Sequence, residues 1–475
     1  MKMISTRDGS RTARSYTDVL LAGLAPDGGL YVPSEYPKFP LEDLKKLKGL
    51  PYRDIAFAVK KKLVDGDIPD EDLRKLIDKA YSEAAFGAVP YGNIVPLMKV
   101  EDNFYVQQLS LGPTAAFKDM ALQQLGQEMN YELKKRNEHL TILGATSGDT
   151  GSAAEAAFKG LDNVVLFMLS PEEGMSPFQK AQMGALSGSN IFNVSVRGRF
   201  DDCQDLVKEL KQEEEFSKLG AVNSINWGRI SSQVPYFFSG YLQAAAHVGD
   251  EVDFVVPTGN FGNILSGYIA KRMGVPIRRL IVATNENDVM DKLFKTGVYE
   301  LTPTHVTSSP SMDISKASNY ERLAFDLFDG DAGKVKKYMD EFEKNKKVDL
   351  RDYGIGLERL KELGFMSGNG AHAKRLRAIQ EVNKKGGFVI DPHTADAVAV
   401  GWQYKDKSED VPMVCMGTAL PVKFEDTTKE ALGYIPERPK RFLDLEGSLK
   451  DGAFYTIDAD AEQLKEYIRG NMRIA

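Results

Sequence analysis

The stretch LSLGPTAAFKDMALQQLG, residues 109–126, places a lysine where an apolar helix begins. Read as a helix from Thr114, it sets Lys118, Leu122, Leu125, Met129 and Leu133 on one stripe, the face that turns toward a core. With Thr114 as N-cap, the ammonium would lie near the positive end of the helix dipole, where a cation is disfavoured by about 0.3–1 kcal/mol. Burial and dipole both favour the neutral amine, which is a nucleophile and a base. A lysine extending to water along its neighbours satisfies the same pattern, so other loops must decide.

Three loops bear on it. EVDFVVPTGNFGNILSGYIAKRMG, 251–274, reads as a strand, a Gly-Asn loop and a helix with apolar Ile264, Leu265, Tyr268 and Ile269. Gly259 and Gly262 allow close backbone approach, while Asn260 and Asn263 tolerate unusual dihedrals and add donors. Such a turn gathers N–H groups on a phosphate, although a tight structural turn would use the same residues. LTILGATSGDTGSAAEAAFKG, 140–160, repeats the plan: hydroxyls of Thr146, Ser147, Thr150 and Ser152 and amides of Gly148 and Gly151 suit a carboxylate or phosphate. Asp149 would repel an anion, and reads as a helix cap or as the partner of a substrate ammonium or hydroxyl. In MVCMGTALPVKF, 413–424, Thr418 offers a neutral hydroxyl at a strand end, where open α/β sheets bind ligands.

The elements that must position these groups follow from patterning. Strand-like runs at NFYVQQLSL, HLTILGAT, NVVLFML, NIFNVSV, DFVVPTG, RRLIVAT and VPMVCMG alternate with helical ones, which indicates an α/β fold with largely parallel strands. Residues 1–92, with the turn PDGG and amphipathic runs such as PDEDLRKLIDKAYSEAAF, read as a small, mostly helical domain ahead of a catalytic region 93–475. Charged helical composition between 330 and 385 reads as a solvated insertion or packing layer.

The chain of 475 residues, 42% hydrophobic, is long enough for two or three domains. A net charge of −7 gives no global basic field for nucleic acid or an anionic membrane, so an anionic ligand must be held locally. The start MKMISTRDGSRTARSY lacks the apolar core of a signal peptide, and no run of about 18 apolar residues offers a membrane span, so a cytoplasmic protein is expected. Cys203 and Cys415 read as buried thiols, and five scattered histidines give no metal-ligand spacing, so no metal is expected.

A tempered lysine, a phosphate cradle, a second anion loop and a hydroxyl at a strand end are what an enzyme needs to hold pyridoxal phosphate as a Schiff base. Through GLAPDGGLYVP, GPTAAFKD, GATSGDTGSAA, VPTGNFGN, PSMDISKASNYERLAFD and DPHTADAV, in that order over nearly the whole chain, the sequence resembles the threonine synthase family of fold-type-II pyridoxal-phosphate enzymes. The resemblance implies two open, mostly parallel twisted sheets flanked by helices, with a mobile subdomain at about 125–235 closing over the larger one. It implies that Lys118 tethers the cofactor, that Gly259, Asn260, Phe261, Gly262 and Asn263 hold its phosphate, and that Thr418 meets its ring nitrogen. Thr146, Ser147, Gly148, Asp149 and Thr150 would bind the substrate carboxylate, with Lys316 and Asn319 foremost, then Lys180 and Arg197, as candidates for the substrate phosphate. The implied reaction turns O-phospho-L-homoserine and water into L-threonine and phosphate, by a monomer or homodimer; a phospholyase releasing 2-oxobutyrate, ammonia and phosphate is the alternative. Leu420 departs from the polar residue, often His, expected in the segment T-A-x-P-x-K-F.

Overall fold

In a computed structural model, described for residues 1–87, 93–173, 175–216, 219–220, 222–405 and 410–472, two separate open sheets carry the chain. The larger has six strands in the order Phe365–Asn369, Ile277–Thr284, Val252–Pro257, Met413–Met416, Phe104–Gln107 and Leu97–Glu101. All neighbours are parallel except the last pair. The smaller has four parallel strands, Tyr455–Asp458, Ile191–Arg197, Val164–Pro171 and Leu140–Ala145. All seven runs read as strands from the sequence form strands, because strands covered on both faces need near-continuous apolar side chains.

Three features differ from the sequence reading. Phe365–Asn369, within the stretch read as a charged helical layer, is an edge strand of the large sheet between the helices Ala332–Asn345 and His372–Gly386. The small sheet takes its edge strand Tyr455–Asp458 from far beyond residue 235. The N-terminal region is helical, as expected, but Met3–Ser5 and Tyr31–Pro33 also pair antiparallel. The boundary drawn at residue 92 falls at 88–92, outside the described residues.

The helix Lys118–Arg136 is buried along most of its length. Every residue from Asp119 to Asn130 is buried, so the helix is enclosed all round and not on a single stripe. Gly126 lets it meet the helix Asp149–Phe158, since a Cβ there would stand 2.7 Å from the Ala157 carbonyl oxygen. On another side the N-terminal region docks through Lys60, 1% exposed, from the helix Tyr52–Val64. Its ammonium lies 2.8 Å from the Tyr16 hydroxyl, 2.9 Å from Glu128 Oε1, 3.0 Å from Ser231 Oγ and 3.2 Å from Ser232 Oγ. Among the described residues no helix is long and apolar enough to cross a membrane. Both cysteines are buried.

Candidate active site

Lys118 is the first residue of its helix. Thr114 does not cap it; its N–H and hydroxyl donate instead to the Asp119 carboxylate (2.8 and 2.6 Å), which ties off the preceding turn. Ala115 adopts a left-handed conformation (φ 59°), a strain of the kind that surrounding structure must hold in place. The holding is direct: Ala116 bridges Ala419, Phe117 N–H donates to the Thr418 carbonyl (2.7 Å) and Leu420 N–H to that of Ala115 (2.9 Å). The lysine turn and the Thr418 strand end, distant in sequence, are thus one piece. Leu420 packs in an apolar cluster with Ala115, Phe178, Val422 and Phe442, surroundings that suit a leucine and not a polar side chain.

Burial lowers the Lys118 amine to about 8; Asp149 opposes the shift, and Arg229 and Lys423 add to it. The nearest carboxylate oxygen, Asp149 Oδ2, is 3.8 Å from Lys118 Nζ. Asp149 is not turned toward an anion. Its Oδ1 accepts from Lys423 (2.8 Å) and Gln179 (3.0 Å), and its Oδ2 from the Ser311 hydroxyl (3.0 Å). Burial would raise this carboxyl, yet Lys423 and Lys118 override it and hold Asp149 well below the usual carboxylate range.

The loop before Asp149 also differs from expectation. Thr146 Oγ1 accepts from the amides of Gly148 (3.0 Å) and Gly151 (2.8 Å), so these N–H groups staple the loop and are not aimed at a ligand. Ser152 bonds back to the Gly148 and Asp149 carbonyls. Ser147 is exposed and Thr150 half-buried, which leaves both side chains open to solvent.

In the Gly-Asn loop the left-handed residue is Phe261 (φ 64°) and neither asparagine. Its ring is buried against Phe294 and Tyr320, which compensates for the conformation. Gly259 is required by proximity, because a Cβ would lie 3.1 Å from the Ser311 carbonyl oxygen. Asn263 accepts from Tyr236 (2.7 Å), and the Asn260 carbonyl accepts from the backbone and side chain of Asn319 (both 3.1 Å). The helix Gly262–Met273 starts here, so its first N–H groups have no carbonyl within the helix.

Asn319 therefore belongs to the wall of this loop; its amide is spent on Asn260 and Ser224, and its carbonyl on Arg322. Lys316 is on the surface, paired with Glu343, and Arg197 is likewise exposed, 3.0 Å from Asp458; Lys180 lies over the Phe454 ring. None of these cations joins the cluster. Arg229 does. It is 6% exposed on the helix Trp227–Ser231, burial lowers it only to about 10, and no ion pair or side-chain hydrogen bond occupies its guanidinium among the described residues. A sequence signal for it exists: Arg229 is the single Asp, Glu, Lys or Arg between Lys218 and Asp250. Two further contributors were not singled out. Lys423, 2% exposed, is one, and His393 is the other, with Nδ1 2.8 Å from Asp391 and Nε2 accepting from Ser311 N–H (3.0 Å). Asp391 and Thr394 in turn receive the Ala419 and Thr418 amides (3.2 and 2.9 Å), which fixes the strand end.

A tempered amine, a glycine-bearing helix N-terminus and a hydroxyl at a strand end are a donor set that fits a phosphorylated aldehyde cofactor, and with the doubly sheeted α/β architecture they define a fold-type-II pyridoxal-phosphate-dependent enzyme. The family model "Pyridoxal-phosphate dependent enzyme" matches residues 89–341. "Threonine synthase N terminus" matches 2–81, and "Threonine synthase, C-terminal" matches 394–468. The chain is 48% identical to a threonine synthase of Methylobacillus glycogenes (98% of this chain, 99% of that one) and 47% identical to one of Corynebacterium glutamicum (98% of each). It superposes on a pyridoxal-phosphate-bound threonine synthase from Brucella melitensis with a TM-score of 0.93, at 39% identity over 100% of both chains. With the yeast threonine synthase the TM-score is 0.91 at 34% identity, covering 99% of this chain and 98% of that one. The chain belongs to the threonine synthase family, which makes it a pyridoxal-phosphate-dependent lyase.

Proposed function

We propose that this chain converts O-phospho-L-homoserine and water into L-threonine and phosphate, with Lys118 as the residue that tethers the cofactor. The observation that carries the reading is the conjunction of a tempered amine on Lys118 with an unpaired, buried guanidinium on Arg229 close enough to act on it. In this reading residues Gly259–Asn263 hold the cofactor phosphate and Thr418 meets the ring nitrogen. When bound, the cofactor supplies a conjugated sink for negative charge developing at the substrate α-carbon.

The protein's part is binding and proton handling. Lys118, released from its tether, takes and returns a proton at Cα, and an amine near neutrality suits both directions. Arg229 stays a cation throughout and receives the γ-phosphate as loss of a proton from Cβ breaks its bond to Cγ, after which Cγ takes up a proton. Ser147, Thr150 and the backbone amides of Asp149 and Thr150, which the loop does not use as it uses those of Gly148 and Gly151, face the substrate carboxylate, and Asp149 does not repel it because Lys423 neutralises it. Water adds at Cβ, so its entry must be timed. Movement of the subdomain built on the four-stranded sheet, at about 125–235 with the added strand Tyr455–Asp458, is the gate we assign to that task.

The test is product analysis of the purified enzyme with O-phosphohomoserine, and with Lys118→Ala as control. Threonine and phosphate should form in equal amounts, and the control should form neither. Release of 2-oxobutyrate and ammonia in place of threonine would refute the synthase reading.

A further inference from the structure

Lys423 is buried in a turn after the Thr418 strand end, and three acceptors meet its ammonium. These are Asp149 Oδ1 (2.8 Å) on the helix Asp149–Phe158, the Thr114 carbonyl (3.0 Å) in the lysine turn, and Gln182 Oε1 (3.1 Å) on the helix Pro177–Leu186. Three N–H donors and three acceptors leave it fully satisfied as a cation. It meets Asp149 through the carboxylate oxygen other than the one nearer Lys118. Without it, Lys118 would be the one cation in ion-pair reach of Asp149 among the described residues, and a carboxylate so placed holds a neighbouring amine in its protonated, unreactive form.

We propose that Lys423 is a positioning residue for Lys118, keeping it a free amine by neutralising Asp149 and by fixing the lysine turn against the two helices. The inference rests on Lys118 as the tethering residue. The groups facing this pair are Arg229, Asp149 and Lys423 around Lys118, and Lys423, Lys118, His393, Gln179 and Ser311 around Asp149. Asp119, held by Thr114 and acted on by Lys423 and Arg441, is the remaining carboxylate of the turn. The step affected is attachment of the cofactor, in which the Lys118 nitrogen bonds to the aldehyde carbon and the aldehyde oxygen leaves as water.

The experiment strips the holoenzyme of cofactor, adds pyridoxal phosphate, and follows the absorbance of the new linkage as a function of pH. For the unaltered protein the rate should rise through a midpoint near 8. Lys423→Gln, which keeps a donor and loses the charge, should move that midpoint up by at least about one unit, a tenfold slowing at pH 7. Lys423→Arg should stay within roughly twofold of the unaltered rate, while Asp149→Asn should move the midpoint down. A purely structural role predicts a lower melting temperature with the midpoint unmoved, and that result would overturn the proposal. It is equally overturned if a folded Lys423→Arg behaves like Lys423→Gln, since charge would then not be the property that matters; where circular dichroism shows both unfolded, the Asp149→Asn variant decides, and an unmoved midpoint there overturns the proposal. Lys118→Ala separates the two readings: signal persisting in that variant would refute the tethering role itself, whereas an unmoved midpoint in Lys423→Gln refutes only the inference.

Discussion

Replacing Lys60 by Met should cost the protein about 3–5 kcal/mol, because removing one member of a buried ion pair leaves the other without compensation. The size follows from the surroundings. Lys60 and Glu128 are 1% and 0% exposed, and the ammonium touches both Glu128 oxygens, at 2.9 and 3.2 Å, as well as three hydroxyls. After the substitution Glu128 retains Tyr16 and Gln124 as donors, at 2.5 and 2.8 Å, but no countercharge. The double variant Lys60→Met/Glu128→Leu removes the charge problem and should recover most of the loss, giving a coupling of about 2 kcal/mol or more. The assay is urea unfolding of the four proteins of the cycle, read by circular dichroism and by protease sensitivity of residues 1–87. Loss below about 1 kcal/mol in the single variant, or additive losses in the double, would show that water or rearranged hydroxyls replace the ammonium and would refute the reasoning.

Arg229→Met should lower kcat/KM for O-phosphohomoserine by roughly 10–150-fold, the 1.5–3 kcal/mol of a charge-assisted contact, while leaving cofactor attachment intact; steady-state kinetics and the bound-cofactor spectrum check both. Gly259→Ala places a methyl group 3.1 Å from the Ser311 carbonyl and 3.3 Å from Met312 Cα, and should weaken cofactor retention in equilibrium dialysis with little change in melting temperature. Glu155 is fully buried with no well-formed hydrogen bond to either oxygen, and burial, opposed only weakly by Asn193 and Lys159, raises its carboxyl well above the usual range. A carboxyl raised in the folded state contributes stability that is present at low pH and lost as pH rises from its unfolded value toward its folded one. Glu155→Gln cannot ionise, so its melting temperature should exceed that of the unaltered protein by several degrees at pH 8 and match it below pH 4; a constant difference at both would contradict this origin.

Sequence reading succeeded where burial and local pattern coincide. Buried parallel strands are apolar runs, and the burial of Lys118 was legible because its charge stands in line with apolar residues. Phe365–Asn369 was not visible, since FMSGN carries too little apolar surface to announce a strand. Its small residues are explained only by the fold, where Gly368 lies against Val400 and a Cβ would come within 2.8 Å. Asp149 was legible as an anomaly but not as its resolution, because the cation that neutralises it comes from a distant loop. Thr146 was read as a donor to a ligand, whereas its oxygen accepts two amides of its own loop, a choice set by backbone geometry. Arg229 carried a signal, isolation in an uncharged stretch, that an inventory of motifs passes over.

The parallel pairing of Tyr455–Asp458 with Ile191–Arg197 has a consequence for synthesis. Strand Ile191–Arg197 is made long before its outer partner, so a nascent chain carries an apolar strand with one row of backbone N–H and C=O groups unpaired while more than half of the polypeptide is still to come. Such an open edge is a template for another chain, and closing it requires a contact of very high sequence separation. Translation pauses or truncations upstream of residue 455 should therefore promote aggregation, even though every group assigned here to cofactor and substrate has by then been made.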